Sequence, residues 1–190
     1  RDAIVERVAV PERLHALLAQ RPLPLALLER LTSRMGLAAA EPLLAALEGA
    51  DERDVPGLVS ALASLGDEIV PALRRRLEGA RWTALRRLVA LVGRLPEIPA
   101  GFTALPLLRH PDDGVRREAL KVGLRGPERD LAIETALLDP DARVIREALA
   151  AAIGGCTHGA LATAMRRLDE ASFPTELREL AVRVVGTRGD

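Results

Sequence analysis

Residues 107–120 of the chain read LLRHPDDGVRREAL, and residues 136–149 read ALLDPDARVIREAL. The two stretches align residue for residue at a constant spacing, which places Pro111 over Pro140. Proline cannot continue a helix, and an aspartate after it favours a new helix because its carboxylate accepts hydrogen bonds from the first free N–H groups. Each stretch therefore predicts the end of one helix, a short turn and the beginning of a second helix.

A glycine that follows apolar residues recurs at a similar interval along the chain. Glycine takes the left-handed conformation that ends many helices, so we expect six helices to end at these positions. The glycines are Gly36, Gly66, Gly93, Gly123, Gly154 and Gly186. Apolar residues recur at the helical period before them. Together these signals predict six helix pairs, at about residues 11–35, 38–65, 67–92, 99–123, 127–153 and 157–186.

The composition favours an all-α fold. Hydrophobic residues make up 48% of the chain but aromatic residues only 2%, so the core must be built mainly from Leu, Ala, Val and Ile. Leucine and alanine are strong helix formers, whereas sheets usually recruit more threonine and aromatic residues.

The repeated pattern Leu-Leu-x-His/Asp-Pro-Asp-x-x-Val-x-Arg-Glu-Ala-Leu resembles the bacterial HEAT repeats of the PBS-lyase-type HEAT-like group. The match is sharp over residues 103–154, weaker over 38–98 and 157–186, and poor before residue 36. The resemblance implies a right-handed α–α superhelix, a HEAT-like solenoid whose second helices line the concave side. We expect residues 1–190 to form a single solenoid of this kind, as a piece of a longer bacterial, cytoplasmic protein.

Several kinds of chemistry lack their usual residues. Lys plus Arg and Asp plus Glu both number 27, so the basic excess of a dedicated nucleic-acid module is missing. No histidine is followed by glutamate, which excludes the iron-binding His-Glu pairs of the HEAT-like hydroxylases. Cys156 and His158 lack two further ligands for zinc, and neither a nucleophile elbow nor a phosphate-binding loop is present. We therefore predict no enzyme, no cofactor, no metal site and no membrane insertion.

Two acidic clusters have a structural and a chemical interpretation. Asp112 with Asp113, and Asp139 with Asp141, could form acid–base pairs or a metal site. They also stand where the second helices begin, and a carboxylate there stabilises the free N–H groups and the helix dipole. We expect them to act as helix caps.

Four arginines recur early in successive second helices at spacings of 30, 29 and 32 residues: Arg87, Arg117, Arg146 and Arg178. Stacked repeats would set them in a row. One interpretation is an internal ladder, in which each arginine bonds an acidic residue or a helix-end carbonyl of an adjacent unit. The other is a basic stripe for an acidic partner or a nucleic-acid backbone.

Trp82 stands at the start of a second helix, where the equivalent residues of other repeats are Gly114 and Ala142. It could fill a gap between repeats, or it could be an exposed anchor for a partner. The leading functional hypothesis is a non-catalytic scaffold that binds another protein through the solenoid surface. The alternative is a nucleic-acid-binding module that uses the arginine row.

Overall fold

A computed structural model describes residues 11–186 of the chain. These residues form α-helices, short 3₁₀ segments and turns, and no strand occurs among them, which confirms the predicted all-α class. The chain divides into two compact units, residues 1–99 and residues 100–190. The predicted single array of residues 1–190 also includes residues 1–10 and 187–190, which lie outside the described residues.

The first unit contains six α-helices within its described residues. Short 3₁₀ segments, Gly36–Ala39 and Gly66–Ile69, lead directly into the third and the fifth. The helices are α1 (residues 11–18), α2 (Leu25–Met35), α3 (Ala40–Glu48), α4 (Val55–Ala63), α5 (Val70–Leu77) and α6 (Trp82–Val92).

The second unit begins with a 3₁₀ segment, Leu105–Arg109, where the sequence predicts a first helix for the fourth pair. The segment is short because Pro111 disfavours a helical conformation at His110, whose backbone is extended. Five α-helices follow: α7 (Asp113–Gly123), α8 (Arg129–Ala136), α9 (Ala142–Ile153), α10 (His158–Asp169) and α11 (Thr175–Gly186).

The core of each unit is built from leucine, valine, isoleucine and alanine, as the composition predicts. In the second unit each second helix buries two residues one turn apart, which defines a common register for the three helices. The pairs are Val115 and Ala119 in α7, Val144 and Ala148 in α9, and Leu177 and Ala181 in α11.

The recurring glycines lie at or near helix ends, but only two of them have the left-handed backbone that was expected to end the helices. Gly36 and Gly66 have φ values of 55° and 65°, which glycine adopts more readily than any other residue. Gly93 and Gly154 have right-handed φ values of −64° and −75°, so the expected conformation is wrong there. Gly123 is the last residue of α7 and is buried against α8, where a Cβ atom would lie 2.8 Å from the Cβ of Ala132. Its smallness lets two helices approach each other.

Across residues 11–186, no helix combines the length and apolar character that crossing a bilayer demands.

Candidate interaction surface

The predicted helix caps are present at two of the four aspartates. The Asp112 carboxylate accepts a hydrogen bond of 2.9 Å from the Val115 N–H, at the start of α7. The Asp141 carboxylate accepts one of 2.8 Å from the Arg143 N–H, at the start of α9. The hydrogen bond from the Arg143 side chain, together with those from the backbone, lowers the pKa of Asp141 to about 2.

Asp139 has a different role, because it is buried and forms a two-point ion pair with Arg116. The Arg116 Nε and Nη2 atoms donate to the two carboxylate oxygens at 2.7 and 2.9 Å. The Nη1 atom donates to the carbonyl oxygens of His110 and Pro111, both at 2.9 Å. This pair raises the pKa of Arg116 and ties the turn before α7 to the turn before α9. The sequence signal for it is weak: a basic residue directly after the buried Val115, and an aspartate directly before Pro140.

Arg117 and Arg146 occupy equivalent places, and each reaches from one second helix to the next. Arg117 Nη2 lies 3.1 Å from the Glu147 carboxylate, and Arg146 Nη2 lies 2.9 Å from that of Glu176. Each pair joins residues 30 apart in the chain. These contacts correspond to the internal ladder that the sequence suggests as one of its two interpretations.

Arg178 does not continue the pattern of Arg117 and Arg146. It directly follows the buried Leu177, as Arg116 follows Val115, so it stands in the Arg116 register. Its guanidinium donates to the carbonyl oxygens of Leu168, Glu170 and Phe173 at 2.6, 2.5 and 3.2 Å. Arg178 therefore ties α11 to the end of α10.

Arg87, in the first unit, is also held by internal acceptors. Its Nη1 atom donates to the carbonyl oxygens of Leu47 and Glu48 at the end of α3, at 3.3 and 2.7 Å. Its Nη2 atom lies 3.1 Å from the Glu52 carboxylate, which Arg86 also contacts at 2.6 Å. The hydrogen bond from Arg87 lowers the pKa of Glu52.

Similar pairs join α5 to α3. Arg76 contacts Glu41 and Glu48, each at 2.9 Å, and Arg75 contacts Glu41 at 2.8 Å. The hydrogen bonds from Arg76 and then Arg75 lower the pKa of Glu41. Residues 70–94 hold seven arginines and one glutamate, whereas residues 41–54 hold five acidic residues and one arginine. Opposite charges on successive helix pairs of the first unit therefore face and neutralise one another.

Trp82 is the first residue of α6, and 53% of its surface is exposed. A ring that fills a gap in the core would be mostly buried, so the exposure fits the second of the two roles that the sequence suggests. Arg81, directly before it, is exposed as well. Among the sequence-selected residues in the first unit, Trp82 offers a large free side chain, whereas Arg87 is held internally.

No group of three or more His, Cys, Asp or Glu side chains within the described part of the chain is placed to hold a metal ion. Cys156 is buried and His158 is exposed at the start of α10. In comparisons with known proteins, no family model matches the chain and no curated protein is significantly similar to it. The resemblance to HEAT-like repeats therefore stays a prediction from the sequence.

Proposed function

We propose that this chain is a non-catalytic scaffold that binds another protein, built as a right-handed HEAT-like solenoid of about six helix pairs. The observation that carries the proposal is the exposed indole of Trp82 at the start of α6. Tryptophan is the side chain most enriched among residues that dominate binding energies, because it buries a large apolar area and keeps one N–H donor. The lone cysteine, Cys156, accords with a reducing setting such as a bacterial cytoplasm.

The state of the arginines supports a protein partner over a nucleic acid. Arg87, Arg117 and Arg146 form ion pairs with glutamates, and Arg178 is held by three carbonyl oxygens. A protein gains affinity for a phosphate backbone when its free cationic side chains neutralise phosphates and release the counterions condensed on the nucleic acid. Here it would first have to displace internal acceptors, so the arginine row is a poor phosphate track.

A binding comparison between two truncations tests the proposal. Trp82→Ala should abolish capture of a partner from a cell extract, because it removes the exposed ring. Leu27→Ala is the matched control, since Leu27 is also a large apolar side chain of the first unit and is 49% exposed. Both variants should keep the melting temperature of the wild type, since neither side chain is buried.

Two results would contradict the proposal. One is equal capture of the partner by wild type and Trp82→Ala. The other is salt-dependent binding to DNA or RNA in a gel-shift assay that Trp82→Ala leaves unchanged, which would favour the nucleic-acid function instead.

A further inference from the structure

Asp54 is a buried acidic residue that the proposed function does not use. It is 6% exposed and stands directly before α4, at the position of a helix cap. A capping aspartate usually accepts a hydrogen bond from the second or third N–H group of the helix. The second residue of α4 is Pro56, which has no N–H group, and the Asp54 side chain makes no capping hydrogen bond. The carboxylate is therefore not needed to begin the helix.

The cation beside Asp54 does not form a hydrogen bond with it. The Arg21 Nε atom lies 3.8 Å from the Asp54 carboxylate, which is beyond hydrogen-bond range, and also 3.8 Å from the Asp51 carboxylate. The Arg21 Nη1 atom is held by the carbonyl oxygens of Leu18 and Gln20, at 2.9 and 2.8 Å. Within residues 11–186 the Asp54 side chain thus forms this long ion pair and no hydrogen bond. A buried carboxylate in this state gains free energy from a donor that reaches it.

Asp54 lines a cavity of about 200 Å³ in the first unit, where such a donor has room. Small residues at the end of α3 leave this space, because Ala46, Gly49 and Ala50 line its wall. A Cβ atom added at Gly49 would meet no atom within 4 Å. Apart from Asp54 and Arg21, the residues around the cavity are leucine, alanine and glycine. The cavity therefore combines an apolar lining with one buried carboxylate.

This combination suits an organic cation better than a metal ion. Calcium and magnesium need several oxygen ligands, whereas the lining supplies a single carboxylate. An ammonium group donates charge-assisted hydrogen bonds to a carboxylate, and an aliphatic chain gains free energy from apolar walls. A compact ammonium group also needs less room beside Arg21 than a second planar guanidinium does. Drug-sized ligands occupy about 300–1,000 Å³, so only a short chain fits here.

We propose that the cavity beside Asp54 binds a primary ammonium group on a short aliphatic chain, whose N–H groups donate to the Asp54 carboxylate. A lysine side chain of a partner protein and a free alkylamine share this chemistry.

Titration of the ¹⁵N-labelled 190-residue chain with n-butylammonium, followed by NMR, tests the proposal. The amide signals of Ala46, Gly49 and Asp54 should shift and reach saturation. The neutral n-butanol, which has the same chain, should bind at least about tenfold more weakly, because it brings no charge to the buried carboxylate. Equal affinity for the two compounds, or a titration that leaves these three amides unchanged, overturns the proposal.

Two aspartate variants test the role of the carboxylate. Asp54→Asn keeps the size of the side chain and removes its charge, so the dissociation constant for n-butylammonium should rise about tenfold or more. Asp51→Asn is the matched control, because Asp51 lies equally far from Arg21 but its side chain is 56% exposed and does not line the cavity. It should change the dissociation constant no more than about threefold, since solvent and salt screen exposed charges.

Equal weakening by the two variants would mean that surface charge attracts the amine, which contradicts the proposal. Circular dichroism and the melting temperature show whether Asp54→Asn is folded. If it is not, the comparison of n-butylammonium with n-butanol on the wild type decides.

A Gly-Lys-Gly peptide, acetylated and amidated at its ends, distinguishes the two sources of the ammonium group. Affinity within about threefold of that of n-butylammonium assigns the cavity to a lysine side chain, because the peptide backbone then stays outside it. Binding of n-butylammonium without binding of the peptide assigns it to a free alkylamine. Binding of neither overturns the proposal. None of these results depends on Trp82, which does not line the cavity.

Discussion

At the scale of single residues, the buried pair of Arg116 and Asp139 is the contact whose loss should cost most. Arg116→Met removes the charge and keeps the apolar stem, but it leaves the Asp139 carboxylate, whose side chain is 4% exposed, without its cation. Breaking a buried ion pair from one side costs about 3–5 kcal/mol, because the remaining charge is buried without its counter-charge. Asp139 would then keep only the hydrogen bond of 2.8 Å from the Asp141 N–H. Urea denaturation should show a loss of that size in the free energy of unfolding.

Arg143→Met provides the comparison for this prediction. Arg143 contacts Asp113 at 2.6 Å and Asp141 at 3.0 Å, but 61% of its side chain is exposed. Solvent screens exposed ion pairs and weakens them, so this variant should lose far less stability than Arg116→Met. Equal losses in the two variants would show that burial does not set the strength of these pairs.

The residue-level predictions from sequence succeeded where the contact is local. Asp112 and Asp141 cap the helices that begin directly after them, so the chain neighbourhood contains both partners of the hydrogen bond. Asp139 was grouped with the caps, but its main partner, Arg116, lies 23 residues away. Arg178 was grouped with Arg117 and Arg146 by spacing, although the buried register places it with Arg116. The fold determines such contacts, and spacing along one chain cannot identify them.

At the scale of helices, the contact between α7 and α8 depends on the absence of a side chain at Gly123. Gly123→Ala would place a Cβ atom 2.8 Å from the Cβ of Ala132, and neither group can rotate away. Overpacking of this kind costs about 1–3 kcal/mol, so the midpoint of urea unfolding should fall. A variant as stable as the wild type would mean that the two helices move apart without cost.

Gly154→Ala is the matched control, because Gly154 also follows a second helix but has space around it. Its φ is −75°, and the nearest atom to an added Cβ would be the Ala151 carbonyl oxygen at 3.6 Å. Alanine restricts the unfolded chain more than glycine does, so this variant should match the wild type or gain up to about 1 kcal/mol.

The positions of helices followed from local signals in the sequence, whereas their exact type did not. Helices α7 and α9 begin directly after the capping aspartates at the repeated Pro-Asp turns, because proline and aspartate act on their own neighbourhood. The segment Leu105–Arg109 is 3₁₀ where an α-helix was expected, and it ends at Arg109 because Pro111 disfavours a helical conformation at His110. Gly123 fits the recurring glycine pattern, but a glycine is needed there because a side chain would collide with α8, not because of the way α7 ends.

At the scale of the whole molecule, many of the opposite charges pair between successive helix pairs within each unit. In the first unit the arginines of α5 and α6 contact Glu41, Glu48 and Glu52. In the second unit Arg117 and Arg146 contact the glutamates of the next second helix. The charge count predicted only that a basic excess is missing. The contacts show in addition that many of these charged residues join neighbouring helix pairs within a unit.

This pairing makes the stability of the chain sensitive to acid. The arginine contacts lower the pKa of Glu41 and Glu52 below 4.5 and that of Asp141 from 3.8 to about 2. A carboxyl group whose pKa is lower in the folded state binds protons more readily when unfolded, so its stabilisation is complete above the unfolded pKa and is lost as the pH falls through the folded one. The contribution of these three groups to the free energy of unfolding should therefore be constant above about pH 5 and decline from about pH 4.5 towards about pH 2.

Urea denaturation at a series of pH values measures this decline, and a double variant identifies its source. Glu41→Gln with Glu52→Gln removes two of the titrating groups and keeps their size. The variant should be less stable than the wild type at neutral pH, because two sets of ion pairs are lost, and its stability should change less between pH 5 and 3. If both proteins lose the same free energy of unfolding over that interval, the contacts of Glu41 and Glu52 do not stabilise the fold, and the acid sensitivity of the chain must come from Asp141 and other carboxylates.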